Sequence, residues 1–139
     1  MEITVHLGFP GTCETAFRFY ERCLGGTITT LLTWGESPIA GMVGEDWRGK
    51  VCHATLDLGG SLVMGVDTPP LEYERIGGFQ MLLKVESVGR AEEVFAALGQ
   101  GGTVKMALAE TFWAERYGIV VDQFGVTWEV QAQVTQNAA

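Results

Sequence analysis

The side chains with most chemistry to offer are few and far apart in the chain. Histidine occurs twice, at His6 and His53. One carboxylate stands out by its setting. In DQFGVTWEV, Asp122 to Val130, a turn leads into a strand on which Thr127, Glu129 and Gln131 alternate with Val126, Trp128 and Val130. Alternation sends the first three to one face and the apolar residues to the other. A carboxylate so placed either meets water or lines a site. Enclosed by apolar walls, a carboxyl group is driven toward its neutral form, which suits a base working near neutrality. An imidazole can serve as acid, base or metal ligand at physiological pH. Glu129, His6 and His53 are therefore the candidate catalytic groups. Trp128, out of phase with Glu129, is expected to pack beneath a helix.

A second constellation is Phe112-Trp113 followed by Arg116 and Tyr117. Trp and Tyr present broad apolar faces with a polar tip, and Arg can pair with a carboxylate or phosphonate. Trp113 and Arg116 are candidate substrate contacts; the competing reading is a core plug and a surface cation. Trp34 and Trp47 bracket a polar loop, Gly35 to Gly49. They either close over a ligand or bury against another subunit. Two apparent motifs fail. The glycine-rich GQGG, Gly99 to Gly102, follows a helix and precedes a strand, the reverse of a phosphate-binding loop. Ser37 has Gly35 before it but Ile39 after it, so the nucleophile elbow of a hydrolase is absent.

These groups must be positioned by the surrounding elements, and the chain writes its elements twice. Residues 2–9 alternate as a strand, Pro10-Gly11 interrupts, and Thr12 is placed to cap a helix. Ala16, Phe19, Tyr20, Cys23 and Leu24 then form one helical face. Gly25-Gly26 ends it, Thr27 to Trp34 reads as a strand, and Lys50 to Leu58 with Ser61 to Val66 as a strand pair. In the second half, Gly78 to Val85 is a strand and Ser87 can cap a helix with Ala91, Val94, Phe95 and Leu98 on its apolar face. Those four positions are the first four shifted by 75. The run Gly101-Gly102-Thr103-Val104 repeats Gly25-Gly26-Thr27-Ile28 at an offset of 76. Glu115 to Gln123 and Gly125 to Gln131 form the last strand pair. A shift of 65 carries Asp57 to Asp122, Gly60 to Gly125 and Met64 to Glu129.

The order is β-α-β-β-β, twice. The expected organisation is a single domain with module one at 1–66, a linker at 67–77 carrying Pro69-Pro70, and module two at 78–133. The fold class is α+β. Each module leaves one sheet face uncovered, and two such sheets placed together would enclose a concave space. A doubly wound α/β fold would need a helix between most strands, and two helices for about eight strands do not supply that.

Composition narrows the function. The net charge of −8, without any Lys/Arg run, argues against nucleic acid. MEITVHLGF has no basic segment of the signal-peptide type, and no apolar run approaches membrane-spanning length. Cys13, Cys23 and Cys52 are odd in number and form no CxxC, which fits reduced thiols in the cytoplasm.

The stretches HLGFPGTCETAFRFYERCLGGTI, VCHATLDLGGSLVMGVD and GGTVKMALAETFWAERYGIVVDQFGVTW resemble the vicinal-oxygen-chelate superfamily, which includes glyoxalase, bleomycin-resistance proteins and extradiol dioxygenases. Within it the PhnB-like family is the nearer likeness. The resemblance implies two βαβββ modules forming a glyoxalase-like cup of curved mixed sheets, packed as a homodimer, with a small organic molecule as partner. It does not supply one reaction, because the superfamily hosts lyases, isomerases, dioxygenases and drug-sequestering proteins. Some PhnB-like sequences carry a ubiquinone-pathway methyltransferase label. This chain lacks the glycine-rich strand-to-helix turn of a doubly wound methyltransferase.

In metal-bearing relatives the ligands come from the first and last strands of each module. Carried over, the resemblance gives Glu129 and Gln80 in module two. In module one it gives Met64 and either Val5 or His6, depending on one residue of loop length. Apolar alternation turns His6 toward the cup; the offset of 75, which pairs Val5 with Gln80, turns it away. His6, Gln80 and Glu129 are the best metal set, with His53 as a substitute donor. Met64 in the fourth place is a poor ligand for Zn, Mg or Mn, so the donor count favours a cup without a divalent metal. Met64 then supplies an apolar wall, and Gln80, Thr127 and Glu129 a polar one, for an organic ligand with one polar end.

Overall fold

The computed structural model describes residues 1–133. It divides into two compact units, Met1–Ile76 and a second beginning at Gly77. Each is a βαβββ module with a four-stranded mixed sheet and one helix, so the chain has a two-module α+β glyoxalase-like fold built from open sheets.

Module one runs β1 (Val5–Phe9), α1 (Cys13–Leu24), β2 (Thr27–Thr33), β3 (Val51–Asp57) and β4 (Leu62–Asp67). The sheet order is β1-β4-β3-β2, with β1 parallel to β4 and the other pairs antiparallel. Helix α1 covers one face. Leu7, Phe9, Ala54, Leu56 and Val63 are buried there with Ala16, Phe17 and Tyr20. The helix comes close to β4 only because position 65 is glycine: a Cβ there would stand 2.6 Å from the Phe17 ring. Thr12 stands at the helix N-cap, but its side chain makes no capping hydrogen bond. The carboxylate of Asp67 does that work from 54 residues away. Its Oδ1 accepts from the Gly11 and Cys13 N–H groups at 3.0 and 2.9 Å, and its Oδ2 from Val51 N–H at 2.9 Å. Asp67, expected to open the linker, is thus the buried last residue of β4. Charge-assisted bonds to otherwise orphaned donors justify burying a carboxylate.

Module two runs β5 (Met81–Val85), α2 (Val88–Leu98), β6 (Thr103–Ala109), β7 (Tyr117–Val121) and β8 (Thr127–Ala132). Its order, β5-β8-β7-β6, repeats that of module one. Ser87 caps α2 as expected, its Oγ accepting from Arg90 N–H at 3.1 Å. Ala91, Val94 and Leu98 pack on Val120, Trp128 and Val130. Trp128 is buried, and its indole N–H donates to Asp122 at 2.9 Å. The 65-residue offset has a structural meaning. Asp57 accepts from Gly59 and Gly60 N–H, and Asp122 from Phe124 and Val126 N–H, so each carboxylate organises the hairpin into its module's last strand.

Register fixes which residues share a face. His6 stands opposite Met64, and Leu82 opposite Glu129. Since Met64 and Glu129 correspond, His6 corresponds to Leu82, an offset of 76. The helices keep 75; the extra residue lies between strand and helix. This resolves the two alternatives for β1: Leu7 and Phe9 turn to α1, and His6 turns to the face that α1 leaves open.

Candidate functional site

On the open face of module one, alternation and register gather His6, Met64, Thr55 and His53. Thr55 stands opposite Met64, which stands opposite His6. The two imidazoles meet edge to face with centroids 6.1 Å apart, and Thr55 Oγ1 lies 3.4 Å from His53 Nε2.

The open face of module two carries Glu129. Ile119 flanks Glu129 on one side and Leu82 on the other. Tyr117 is opposite Gln131, one alternation step along, so its ring reaches diagonally across the hairpin. Its hydroxyl donates a hydrogen bond to Glu129 Oε1. Burial, then that bond, then the charge of Glu129 push the Tyr117 phenol up to about 12. The phenol is therefore a donor over the whole physiological range. Glu129 Oε2 has no protein partner among the described residues.

Beside this pair is a cleft of about 410 Å³, lined by Gly78, Phe79, Gln80, Lys105, Thr127 and Glu129. Gln80 precedes β5 in phase with Leu82, which brings its amide to the Glu129 side. The loop before β7 packs two aromatic rings behind Tyr117, next to the cleft and not in its lining. Thr111 and Ala114 close a tight turn, with Thr111 N–H donating to Ala114 O at 3.0 Å and Ala114 N–H to Thr111 Oγ1 at 3.1 Å. That turn sets Trp113 edge to face on Tyr117, centroids 5.1 Å apart, with Phe112 outside it at 4.8 Å. Arg116 does not join the cleft. Immediately before β7, its guanidinium donates to the Glu115 carbonyl at 2.7 Å.

So Glu129, Gln80 and Thr127 come together, with Trp113 adjoining through Tyr117. Two contributors escaped the sequence reading: Lys105 as a cleft cation and Tyr117 as the partner of Glu129. The second had a signal. The turn after Asp122 sets the β7–β8 register, which puts Tyr117 on the Glu129 face.

The sequence pattern of the Glyoxalase/Bleomycin resistance protein/Dioxygenase superfamily matches residues 6–130. The chain belongs to that superfamily. Its sheet order and paired modules are those a glyoxalase-like chain requires. It is 31% identical over 140 residues to protein YjdN of Escherichia coli, covering 94% of each chain. Among solved structures it resembles protein PA1353 of Pseudomonas aeruginosa, with 40% identity, TM-score 0.87, and 96% and 98% of the two chains covered. It also resembles a PhnB protein from Bacillus cereus, with 25% identity, TM-score 0.79, and 95% and 99% covered. The PhnB-like character read from the sequence thus has a structural counterpart.

Some superfamily members hold a divalent metal, and the donors here can be tested for fit. A catalytic site normally takes three protein ligands. Module one offers two imidazoles and a thioether; module two offers one amide and one carboxylate that already accepts from Tyr117. Among the described residues no three His, Cys, Asp or Glu side chains gather around one point. Neither module by itself fits a divalent ion, and no chemical step is assigned to one.

Proposed function

We propose that this PhnB-like chain binds a small organic molecule on the open face of module two, with the Tyr117–Glu129 pair as its polar centre. The observation that carries this reading is the phenol-to-carboxylate bond at the edge of a cleft, on a sheet face that also exposes Leu82 and Met106. Such a pair orients a carboxylate without neutralising it. Glu129 Oε2 can accept an O–H or N–H of the ligand, or take a proton from it. Gln80 and Thr127 supply further polar contacts, while Trp113 supports the apolar body. The same face suits contact with a second copy, since Leu82 and Met106 are each about half exposed there. Free thiols at Cys13, Cys23 and Cys52 and the half-exposed apolar side chains of that face support reading the protein as a cytoplasmic homodimer.

The test is a thermal-shift screen of small polar organic compounds against wild type, Glu129→Gln and Tyr117→Phe. A compound that protects wild type and loses most of that protection in both variants supports the reading. Hits that protect all three proteins equally refute it.

A further inference from the structure

Trp34 and Trp47, the pair bracketing the loop of module one, converge on a single acceptor. Both indole N–H groups donate to the backbone carbonyl of Asp67, at 3.0 and 3.4 Å. The carboxylate of that residue is already bonded to Gly11, Cys13 and Val51. The loop is thereby fastened to the end of β4, where Pro69-Pro70 begins. A turn closed by Glu72 N–H on Pro69 O, at 2.9 Å, then lifts Leu71 and Glu72 opposite the loop. Between the two walls is a cleft of about 310 Å³ whose lining includes Met42, Asp46, Trp47, Pro70, Leu71 and Glu72.

Three features define what this cleft would hold. Its walls are apolar and aromatic, and Met42 and Leu71 are exposed at 75% and 102%, large apolar surface left in water. Each wall contributes one carboxylate, Asp46 from the loop and Glu72 from the turn. Neither has a hydrogen bond or ion pair among the described residues. The neighbouring ammonium does not serve them: Lys50, which like Trp47 approaches Gly11, donates to the Gly11 carbonyl at 3.2 Å. An indole face attracts a cation through its quadrupole, and the two exposed carboxylates at the rim of the cleft add to the attraction. A volume near the lower end of ligand pockets suits a small molecule rather than a helix.

We propose that this cleft of module one is a binding site for a small organic cation with an apolar body, of the quaternary or aromatic ammonium class. It is separate from the Tyr117–Glu129 face and does not depend on it.

Benzyltrimethylammonium is a suitable probe, with benzyl alcohol as the neutral comparison, each titrated calorimetrically into the full chain. The expected result is saturable binding of the cation, at one site per chain, that weakens with added salt. Binding should weaken about tenfold or more in Asp46→Asn/Glu72→Gln and by a few fold in Trp47→Phe. Glu129→Gln should bind like wild type. Asp46 and Glu72 make no bond that folding needs, and a melt matching wild type confirms that the double variant is folded. Equal affinity for benzyl alcohol would mean an apolar crevice only and would overturn the proposal. So would unchanged binding in the double variant, loss of binding in Glu129→Gln, or no saturation at millimolar concentration.

Discussion

The Tyr117 hydroxyl donates to Glu129 Oε1 across the β7–β8 hairpin, joining residues 12 apart in sequence on the one face of module two that its helix leaves open. A phenol so held keeps its proton well past the ordinary tyrosine range, reaching about 12. Because the folded value is raised, the stability this group contributes is fully present below the unfolded value near 10 and is lost as pH rises through about 12. Phenolate absorbance, taken as wild type minus Tyr117→Phe, should show one component titrating near the upper value. In Glu129→Gln that component should move down part of the way, since burial, the larger cause, remains. A component titrating like free tyrosine in wild type would disprove the bond.

Gly65 is where α1 meets β4. Gly65→Ala forces the Phe17 ring or the helix to move and should cost about 1–3 kcal/mol in urea unfolding. Gly89, in the first turn of α2, meets nothing within 4 Å of a built Cβ. Gly89→Ala should be neutral or stabilising by up to about 1 kcal/mol. Equal effects would contradict the packing described.

Asp67 joins the start of α1, the start of β3 and the two indoles. Asp67→Ala strands three N–H donors and should destabilise by about 3 kcal/mol, with Asp67→Asn milder. Chemical denaturation measures both. Thr12→Ala, by contrast, should cost far less than a usual N-cap loss, because its side chain makes no capping bond.

The thiols should separate by reactivity. Cys13 is fully buried; that burial, then Asp67, then Glu14, push its thiol up. Cys23 is buried as well, and Cys52 is partly open. An aromatic disulfide reagent should label Cys52 in the native protein and reach the other two only on unfolding. Rapid labelling of all three would place α1 less firmly than described.

Much of this was legible because it is local. Period-2 alternation assigned Leu7 to the core and His6 to the open face, and 3.6-period spacing found both helix faces. The repeat at 65 predicted matching Asp57 and Asp122 hairpins. What escaped depends on partners distant in sequence. Thr12 looks like a cap because Asp67 is invisible from residue 12. Arg116 reads as a substrate contact because it stands beside Trp113 and Tyr117, whereas it precedes β7 and turns to the Glu115 carbonyl. The offset of 75 misled at β1 because one residue inserted between strand and helix shifts one element but not the other, and only pairing reveals it.

The central claim is that the polar centre of module two receives a ligand. The direct measurement is amide and indole NMR of the labelled protein, titrated with a compound found in the screen. Resonances of Gln80, Thr127, Glu129 and the Trp113 indole should shift together and saturate in wild type, and stay in place in Glu129→Gln. Shifts confined to other surfaces, or an unchanged response in that variant, would contradict the account.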